Sequence, residues 1–564
     1  MIRSQAMAPR TPFDRETALA RLADEPFDVL VIGGGITGAG VALDAAARGL
    51  RTALVERRDF ASGTSSKSSK LIHGGLRYLQ QKEFRLVYEA LAERQRLLDN
   101  APHLVSRLPF LIPLFGNKGV MKGGLARLYS IALWQYDLTG GLRIGKRHRR
   151  ISREEALLHL PTLDTDRLVA GFLYWDARAD DARLTLTVLR TAVVNFGAVA
   201  ANYVPVETIL HDAATGQASG ARLEDGTEIR SAVVVNATGV WTDVVRGFDE
   251  TQPAGPGSLR PAKGIHLTFP ASRLPLTAAA VLPAPGKRSI FVVPWGEFTY
   301  AGTTDTDYHG PLNDPECTPD DIGYVLDAVN AAMTSQLTVA DIVGTWAGLR
   351  PLVSSATSLR TADLSRRHRV TVSTQGMVTV TGGKLTTYRR MASDTVDEVV
   401  RVLGRGSSRS PTKHLRLLGA RGSDVLLEPL APQRLGVDHA TLGHLVSRYG
   451  TEARTVIAMT EADPALAQPL VAGLPYLRAE AVYAARYEMA WTLDDVLSRR
   501  TRALLLARDA SAAAATSVAR LLAPELGWSV TKIKQEVAAY QGGVARSRTA
   551  AGLPPASELV AQGS

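Results

Sequence analysis

A glycine-rich turn near the N-terminus has the residue types and spacing of a dinucleotide-binding site. Gly33, Gly35 and Gly38 follow a short apolar run, Val29 to Ile32, in G-x-G-x-x-G spacing, and an alanine-rich segment comes next. In such a turn the first glycine permits the tight bend, the second lets backbone approach a pyrophosphate, and the third lets helix and strand pack closely. The N-terminus of the following helix offers unpaired N–H groups to the phosphates.

An acidic residue follows at the distance that ribose binding requires. Glu56 comes directly after a second apolar run, Thr52 to Val55, roughly twenty residues beyond the glycine turn. Its carboxylate can accept hydrogen bonds from ribose hydroxyls. Strand, glycine turn, helix, strand and acid in this order are much more specific than a lone glycine motif, and they predict a dinucleotide-binding βαβ unit.

Three later segments favour FAD over NAD. The stretch from Ser62 to Lys70 is dense in hydroxyl and backbone donors, where a bound dinucleotide would extend towards its redox ring. A second buried-strand run, Ser231 to Val235, leads to Ala237-Thr238-Gly239, the pattern by which flavoproteins bring a strand end beside the adenosine half. In VTVTGGKLTTYR, Val378 to Arg389, a Gly-Gly turn would aim a helix N-terminus at the anionic ring of a reduced flavin.

The composition is that of a globular enzyme. With 564 residues, 45% of them hydrophobic, the chain has room for roughly two to four domains. Cys317 is the only cysteine, which excludes an intrachain disulfide, a thiolate metal cluster and a redox cysteine pair. Its acidic surroundings, NDPECTPDD, argue against a nucleophilic role. No residue cluster has metal-ligand spacing, so no metal is predicted.

The formal charge of +10 favours anionic partners such as a phosphorylated metabolite or acidic lipid headgroups. No nucleic-acid-binding module is recognisable, and the protein is not expected to bind nucleic acid. No apolar run reaches the ~18 residues of a membrane-spanning helix, and the N-terminal segment lacks the apolar core of a secretion signal. An apolar run, Val120 to Tyr136, precedes a basic cluster, Arg143 to Arg153. Together they fit either a helix on an anionic membrane surface or a core helix beside a solvated loop.

Periodicity indicates which elements position these residues. Helices are predicted for Glu83 to Asp99, Asp181 to Gly197, Thr318 to Met333 and Ser393 to Leu403. Strands dominate residues 259–310, and helical periodicity dominates residues 432–543. The neighbouring acids Asp180 and Asp181 could pass for a catalytic pair, but they fit a helix N-terminus better, where carboxylates favour the dipole.

At this point the chain resembles a known family, the FAD-dependent glycerol-3-phosphate dehydrogenases of the aerobic, quinone-linked kind. The motifs that carry the resemblance include IGGGITGAG, SSKLIHGGLRYL, VNATGVW, IFVVPW, GTTD, GLRPL and GGKLTTYR. The combination of SSKLIHGGLRYL with GGKLTTYR is highly specific. The resemblance runs from about Asp28 to Arg390 and continues more weakly through the C-terminal helical region.

The fold that the resemblance implies is α/β, with a Rossmann-like FAD-binding domain of the D-amino-acid-oxidase-like type. A discontinuous FAD-binding domain (about 26–110, 180–245 and 340–405) would carry an inserted, mostly β substrate domain (about 111–179 and 246–339). An α-helical C-terminal domain is expected at 411–543. Flexible ends are expected at 1–25 and 544–564.

The segments and the resemblance together give the predicted FAD contacts. They are Gly33, Gly35, Gly38, Glu56, Thr64, Ser65, Ser68, Ser69, Lys70, His73, Gly74, Ala237, Gly239, Gly382, Gly383, Lys384, Leu385 and Thr386. Noncovalent FAD is expected, with His73 as a polar neighbour of the flavin; a covalent histidyl link is the alternative.

Substrate binding requires cations for a dianionic phosphate, and arginine provides a bidentate fork. Arg77 and Arg350 stand in glycine-rich or apolar segments, HGGLRYL and WAGLRPL, where the alternative is a structural ion pair. The resemblance favours substrate contact and adds the following pocket residues: Tyr78, His266, Thr303 and Lys384.

The chemistry implied is oxidation of a secondary alcohol, with hydride passing to the flavin and a protein group taking the hydroxyl proton. His266 is a sensible acceptor because imidazole titrates near neutrality. Arg350 and Lys384 would stabilise the developing alkoxide and the reduced flavin. These three are the predicted catalytic residues.

The predicted function is therefore oxidation of sn-glycerol 3-phosphate to dihydroxyacetone phosphate, with electrons passed to a membrane quinone. The expected setting is cytoplasmic and peripheral on the inner face of the cell membrane, with an anionic membrane surface and a homodimer as further partners. An oxidase that makes hydrogen peroxide and a non-catalytic flavin-binding sensor are the alternatives. An amino-acid substrate would not need the surplus of cations formed by Arg77, Arg350 and Lys384.

Overall fold

The computed structural model describes residues 13–75, 83–116, 123–249, 259–353, 368–406 and 408–555. Within these ranges the strands form one sheet of eight and one of ten. The strands are β1 (Phe27–Ile32), β2 (Thr52–Val55), β3 (Leu71–Ile72), β4 (Val105–Phe115), β5 (Arg149–Ser152), β6 (Leu168–Ala179), β7 (Val199–Ala201), β8 (Val206–His211), β9 (Ala218–Leu223), β10 (Glu228–Asn236), β11 (Leu259–Pro270), β12 (Ala279–Ala284), β13 (Arg288–Trp295), β14 (Phe298–Gly302), β15 (Thr306–Asp307), β16 (Gly344–Val353), β17 (Arg369–Val372) and β18 (Val378–Thr381).

The helices include those predicted for residues 83–99, 181–197, 318–333 and 393–403, each within a few residues of the expected bounds. They are α1 (Arg15–Asp24), α2 (Ile36–Ala47), α3 (Phe84–Asn100), α4 (Gly123–Leu138), α5 (Arg153–His159), α6 (Asp181–Phe196), α7 (Thr242–Arg246), α8 (Pro319–Asn330), α9 (Tyr388–Val402), α10 (Ala431–Arg434), α11 (His439–Tyr449), α12 (Ala453–Ala462), α13 (Arg478–Tyr487), α14 (Ala503–Leu506), α15 (Arg508–Leu526) and α16 (Val530–Ala550), with a π-helical turn at Asp495–Arg500.

The first sheet gathers the segments of the predicted dinucleotide site at one edge. β1 lies between β2 and β10 in parallel, and Ile32 is level with Val55 on one side and Asn236 on the other. Every residue of β1 is buried, as expected for a central parallel strand. β18 continues the sheet in parallel beside β10, with Thr379 level with Asn236. Because the carboxyl ends of parallel strands meet at one edge, the turns after these strands face the same crevice.

The second sheet gathers the residues of the predicted substrate site. β11 pairs in antiparallel fashion with both β14 and β16. His266 on β11 is level with Gly302 on β14 and with Trp346 on β16, while Ala262 is level with Arg350. The register therefore brings a histidine and an arginine that are far apart in the chain onto neighbouring strands.

β16 departs from the predicted division of the chain. Residues 344–353 were expected in the FAD-binding part, but they pair along nearly the whole length of β11 in the second sheet. The cause is a continuous antiparallel ladder from Leu259 to Thr268, which the sequence pattern of a single strand cannot reveal. The rest of the division into domains stays a prediction.

The helical C-terminal region extends further than predicted. α16 continues to Ala550, and Val544, Ala551 and Leu553 are buried. Ala551 and Leu553 join the apolar core of the second sheet. The expectation of a disordered tail from residue 544 is therefore wrong up to residue 555, because apolar residues among the small polar ones reach a core; residues 556–564 lie outside the described ranges.

The N-terminal extension is also ordered where it is described. α1 begins after Asp14, whose side chain accepts a hydrogen bond from the Thr17 amide at 2.9 Å. Phe13, Ala18 and Leu22 are buried against the first sheet's core. The expected flexibility of residues 1–25 is thus wrong for 13–25, and residues 1–12 lie outside the described part.

α4 has both buried and exposed apolar side chains. Leu133 and Tyr136 are buried, whereas Ile131, Trp134 and Leu138 are exposed. One face therefore packs in the protein and another presents apolar side chains to the surroundings. In the ranges that the structure covers, no helix is both long enough and apolar enough to span a bilayer.

Candidate active site

A cavity of about 1320 Å³ is lined by residues from both sheets. It is larger than most small-molecule sites, which run to roughly 1,000 Å³, so it has room for a dinucleotide and a small substrate together. The predicted site residues that line it are Gly33, Gly35, Glu56, Thr64, Ser65, Ser68, Ser69, His73, Ala237, Gly239, His266, Thr303, Arg350, Gly382, Gly383, Lys384, Leu385 and Thr386. The predicted contacts Arg77 and Tyr78 lie outside the described residues.

The glycine turn forms the nucleotide end of the cavity. Gly33 has a φ of +110°, and a Cβ there would lie 2.8 Å from the carbonyl oxygen of Ala237. A Cβ at Gly38 would lie 1.9 Å from the carbonyl oxygen of Gly33, so Gly38 packs helix against strand and does not itself line the cavity. Gly35 is the N-cap of α2 and does line it. Bare backbone and a helix N-terminus thus form a cradle that fits a pyrophosphate.

Glu56 holds the glycine turn in shape. Its Oε2 accepts a hydrogen bond from the Gly34 amide at 2.7 Å, and its Oε1 accepts one from the Arg58 amide at 2.9 Å. Burial raises the pKa of Glu56, although the two amides oppose the shift. Each carboxylate oxygen has a second lone-pair direction, so the predicted ribose contact is compatible with these bonds.

The serine loop, residues 64–70, joins the nucleotide end to the second sheet. The Ser65 hydroxyl accepts a hydrogen bond from the Ile36 amide at 2.8 Å, which ties the loop to the first turn of α2. The Thr64 hydroxyl donates to the carbonyl of Leu349 on β16 at 2.6 Å. The amide and the hydroxyl of Ser68 both donate to Asp181. The loop is therefore fixed from both sheets.

Besides Gly38, two predicted cofactor contacts do not line the cavity. The Lys70 ammonium is buried, donates to the Ser66 carbonyl at 3.0 Å and pairs with Asp181 at 2.9 Å. A buried ammonium requires such a carboxylate partner, and burial lowers the pKa of Lys70 to about 8. The Gly74 amide donates to the Tyr136 hydroxyl at 3.0 Å, and a Cβ at Gly74 would clash there. Both residues lie behind the neighbouring residues that line the cavity.

The turn after β18 lies at the redox end of the predicted site. The five residues from Gly382 to Thr386 line the cavity, and a 3-10 turn, Leu385–Thr387, passes directly into α9. The predicted sequence of strand, Gly-Gly turn and helix is confirmed. The His73 amide donates to the Thr386 hydroxyl at 3.2 Å, which brings the serine-loop side and this turn together.

His266 lies at the junction of the serine loop and the second sheet. Its Nε2 is 2.8 Å from the Ser69 hydroxyl, and its ring stacks on Trp346 with 4.7 Å between centroids and 9° between planes. Burial, together with the positive charges of Lys70 and Arg350, holds the pKa of His266 well below its usual range. The imidazole is therefore neutral at physiological pH, and not near its midpoint as the sequence alone suggested.

Arg350 presents a guanidinium to the same end of the cavity. Its Nη2 donates to the Thr303 hydroxyl at 2.9 Å, and its Nη1 lies 3.3 Å from Asp305 Oδ1. Gly264 leaves the space for this contact, because a Cβ there would lie 2.4 Å from Arg350 Nη2 and 2.5 Å from Thr303 Oγ1. The Arg350 side chain is 24% exposed and lines the cavity.

Sequence reasoning missed several cavity residues. Asp305 and Trp241 stand inside the motifs GTTD and VNATGVW, which were recognised without assigning these two a role. Arg288 lines the cavity and donates to the Asp305 carbonyl at 2.9 Å, and no motif had marked it. Arg57 lies over the Trp241 ring at 5.6 Å. Arg57 and Trp241 follow β2 and β10 of the first sheet, whereas Arg288 and Asp305 adjoin β13 and β14 of the second, so a linear motif does not encode their proximity.

Two predictions about acidic segments also have structural outcomes. Asp180 is the N-cap of α6 and accepts a hydrogen bond from the Arg183 amide at 3.2 Å, as expected of a helix N-terminus. Burial, more than the nearby Asp321, raises the pKa of the Cys317 thiol to about 12. Within the described ranges no group of three or more His, Cys, Asp or Glu side chains is arranged as a metal site.

Comparison with known proteins agrees with this geometry. The FAD dependent oxidoreductase family is matched over residues 28–389, and the C-terminal domain of alpha-glycerophosphate oxidase over residues 410–533. A glycerol-3-phosphate dehydrogenase of Mycobacterium tuberculosis is 43% identical over 540 residues, covering 94% of this chain and 90% of its own. The chain belongs to the FAD-dependent glycerol-3-phosphate dehydrogenase family.

The family extends to distant organisms and to a solved structure. The mitochondrial glycerol-3-phosphate dehydrogenase of Mus musculus is 39% identical over 555 residues, which cover 94% of this chain and 74% of the mouse protein. The glycerol-3-phosphate dehydrogenase of Bacillus halodurans, solved in complex with FAD, matches with a TM-score of 0.76 and 31% identity over 97% of this chain and 99% of its own. The α/β fold with a helical C-terminal region is that of this family.

FAD is the cofactor of this dehydrogenase family member, and the cavity fits it. The glycine cradle of Gly33 and Gly35 accommodates the pyrophosphate, and Ala237 and Gly239 line the wall beside it. The serine loop and the turn at Gly382 lie further along the same cavity, where the ring would be held. The individual contacts of these residues with FAD stay predictions.

Proposed function

We propose that this enzyme oxidises sn-glycerol 3-phosphate to dihydroxyacetone phosphate and passes the electrons to a membrane quinone. One observation carries the proposal: the cavity that begins at the glycine cradle ends at the guanidinium of Arg350, beside a buried neutral His266. A cationic end that adjoins the flavin position suits a small phosphorylated alcohol.

Arg350 binds the substrate phosphate in this proposal. Asp305 and the Thr303 hydroxyl orient its guanidinium, so the fork of donors is in place before the substrate arrives. Arg288 donates a hydrogen bond to the backbone carbonyl of Asp305 and adds a second positive charge to the same wall of the cavity. Lys384, in the turn after β18, lines the cavity and neutralises negative charge that develops at the redox end.

His266 takes the proton of the C2 hydroxyl. FAD, when bound, accepts the hydride from C2. A neutral imidazole has one ring nitrogen whose lone pair can take a proton, and the Ser69 hydroxyl is hydrogen-bonded to its Nε2. Its low pKa would make it a weak base in the empty site, but the charge of a phosphate dianion bound at Arg350 raises the pKa of a nearby imidazole. Substrate binding would thus activate its own base.

An apolar part of the cavity supports a quinone as the electron acceptor. Its lining includes Ile112, Leu114, Phe115, Val281 and Phe291, which suit an apolar ring better than a polar metabolite.

The exposed face of α4 supports attachment to an anionic membrane. Ile131, Trp134 and Leu138 are exposed apolar side chains, and Arg147 lies over the Trp134 ring at 5.7 Å. The basic cluster that begins at Arg143 follows directly. Apolar residues beside basic ones are what a peripheral membrane protein requires.

Anaerobic mixing of the purified yellow protein with glycerol 3-phosphate tests the proposal. Loss of the flavin absorbance near 450 nm is expected with glycerol 3-phosphate and not with glycerol, because only the phosphate engages Arg350. Reoxidation by a short-chain quinone should then be much faster than reoxidation by oxygen. Fast reoxidation by oxygen with release of peroxide would instead identify an oxidase, and an unreduced flavin would leave a sensor.

Sedimentation with vesicles tests the membrane contact separately. Binding to vesicles that contain anionic lipid is expected at low salt and should weaken at high salt, because the basic cluster is screened. A variant with Trp134 and Leu138 replaced by serine should bind less at both salt concentrations. Equal sedimentation of this variant and the wild type would contradict the role of α4.

A further inference from the structure

Asp181, the first residue of α6, holds the serine loop by three contacts. Its Oδ2 accepts hydrogen bonds from the Ser68 amide at 2.9 Å and from the Ser68 hydroxyl at 2.7 Å. Its Oδ1 pairs with the Lys70 ammonium at 2.9 Å. Asp181 is fully buried, where hydrogen bonds are strong and a carboxylate is a rigid attachment point.

A second cation that pairs with the Asp181 carboxylate, after Lys70, comes from the C-terminal helical region. Arg502 Nη2 lies 2.5 Å from Asp181 Oδ1 and 2.6 Å from Asp180 Oδ1, and Arg502 stands 321 residues after Asp181 in the chain. The Arg502 side chain is 1% exposed, and its Nη1 donates to the Ser498 carbonyl at 3.1 Å. The planar guanidinium can serve both carboxylates at once because its donors form a rigid fork.

The opposite side of the serine loop contacts the substrate end. The indole N–H of Trp346 donates to the Ser68 carbonyl at 3.2 Å, and the Trp346 ring stacks on His266. The next residue, Ser69, contacts His266 Nε2 through its hydroxyl. The Tyr300 hydroxyl donates to the Ser69 carbonyl at 2.8 Å. Ser68 is thus bonded to Asp181 on one side. On the other side its carbonyl is bonded to Trp346, which stacks on His266.

We propose that Asp181 and Arg502 are positioning residues of the flavin site. They fix the serine loop and, through Ser69 and Trp346, the ring of His266. Arg502 does not line the cavity, so its action on the site is indirect. The proposal rests on the proposed function where it concerns His266, and it gives the C-terminal helical region a part in the chemistry without requiring that region to cover the site.

Replacement of Arg502 should loosen the loop without emptying the site. In Arg502→Met, Asp181 keeps Lys70 as its cation, but the Asp180 and Asp181 carboxylates lose their shared fork. In Arg502→Lys, the charge remains although the fork of donors is lost. Loosening should therefore be large in the first variant and small in the second.

Arg190 provides the matched control. Its guanidinium binds Glu452 at 2.6 and 3.0 Å and so joins the same helix, α6, to the same C-terminal region. The side chain is 6% exposed, comparable to that of Arg502. Arg190→Met should cost stability in a similar way, but its partners Glu452, Glu488 and Tyr483 lie outside the serine loop.

Hydrogen–deuterium exchange on the FAD-loaded, full-length protein reads the loop directly. Amide exchange in the peptide covering residues 64–72 should be about tenfold faster in Arg502→Met than in the wild type, because the Ser68 amide loses a fixed acceptor. Arg190→Met should leave this peptide within about twofold of the wild type, and Arg502→Lys should fall between. Equal exchange in Arg502→Met and Arg190→Met would overturn the proposal.

Stopped-flow reduction of the flavin tests the consequence for the chemistry. At saturating glycerol 3-phosphate the reduction rate constant should fall about tenfold in Arg502→Met, since a small displacement of a catalytic group is costly. The apparent dissociation constant of the substrate should change less than about twofold, because Arg350 is untouched. An unchanged rate constant alongside faster exchange would contradict the link to His266.

Two further arms keep the outcomes separable. Should Arg502→Met not fold, Asp181→Asn and Arg502→Lys carry the same exchange comparison against Arg190→Met. Failure of the wild type to be reduced by glycerol 3-phosphate would remove the proposed function, while the exchange measurement would still decide whether Arg502 positions the loop.

Discussion

Two regions of this molecule use arginine in opposite ways. At the cavity end, Arg350 is 24% exposed and is oriented by Asp305 and Thr303. At the contact between the C-terminal helices and the first sheet, Arg500 is 2% exposed and binds both carboxylate oxygens of Asp59, at 2.6 and 2.8 Å. We call this contact the interface ion-pair network. Its members are Asp59, Asp180, Asp181, Arg183, Arg448, Glu480, Glu488, Asp494, Asp495, Arg499, Arg500 and Arg502.

The difference shows that an arginine in an apolar setting is not by itself a ligand site. In the interface ion-pair network the protein's own carboxylates pair with the guanidiniums, so these arginines stabilise the fold. At the cavity end Arg350 also pairs with a carboxylate, that of Asp305, but its side chain is partly exposed and lines the cavity. The same residue type is therefore buried in an ion-pair network in one region and lines the cavity in the other.

The interface should be the more sensitive region for stability. Asp59→Asn would leave Arg499 and Arg500 buried without their shared carboxylate, at a cost of about 3–5 kcal/mol in the free energy of unfolding. The measurement is urea denaturation of the FAD-loaded protein. Glu428→Gln, which removes the exposed pair with Arg434, should cost less than about 1 kcal/mol. Similar losses in the two variants would erase the distinction drawn above.

Stability should also depend on acid pH through this network. Burial opposes ionisation of Glu480, but His444, Arg448 and the Leu477 amide outweigh it and lower its pKa to about 2. The unfolded chain then binds more protons than the native one between the ordinary pKa and about 2, so stability is lost as pH falls through that window.

The expected slope is up to about 1.4 kcal/mol per pH unit from this one group, and on the order of 3 kcal/mol in total. Denaturation curves collected from pH 5 downwards measure it. Glu480→Gln should be less stable at neutral pH and should lack this part of the slope. A variant with the wild-type slope would show that Glu480 does not cause it.

Activity should depend most on the cavity arginine. Arg350→Met is expected to lower kcat/KM for glycerol 3-phosphate about 100-fold, because a charge-assisted, bidentate contact with the phosphate is lost. FAD content and unfolding should change little, which separates this arginine from Arg500. Arg350→Lys should recover only part of the loss, since an ammonium lacks the fork. Normal kcat/KM in Arg350→Met would place the phosphate elsewhere.

The smallest expected effect concerns the space beside that arginine. Gly264→Ala would place a Cβ 2.4 Å from Arg350 Nη2, and the flexible end of that side chain can move away. KM should rise about tenfold with kcat less affected, because binding is disturbed more than chemistry. Gly323→Ala, on α8, meets no atom within 4 Å and serves as the control, with unchanged kinetics. Equal KM values in both variants would show that Arg350 tolerates the shift.

The local motifs were the most predictable part of the site. The turn of Gly33 and Gly35, the acid Glu56 and the Gly-Gly turn at Gly382 lie on the cavity as their spacing indicated, because each depends on a backbone conformation that neighbouring residues encode. Lys70 and Gly74 were predicted as cofactor contacts but do not line the cavity. The direction of the Lys70 side chain and of the Gly74 amide depends on Asp181 and Tyr136, which are distant in the chain.

By itself, the sequence determined the βαβ unit, the preference for FAD over NAD and the family, since short motifs with fixed spacing encode all three. Only the tertiary structure decided which arginines line the cavity and which are buried against carboxylates. The physical reason is that the state of a charged group depends on burial and on partners hundreds of residues away, as the contact of Arg502 with Asp181 illustrates. The ends of the chain followed the same rule: α1 and the residues after Val544 are ordered because they reach an apolar core.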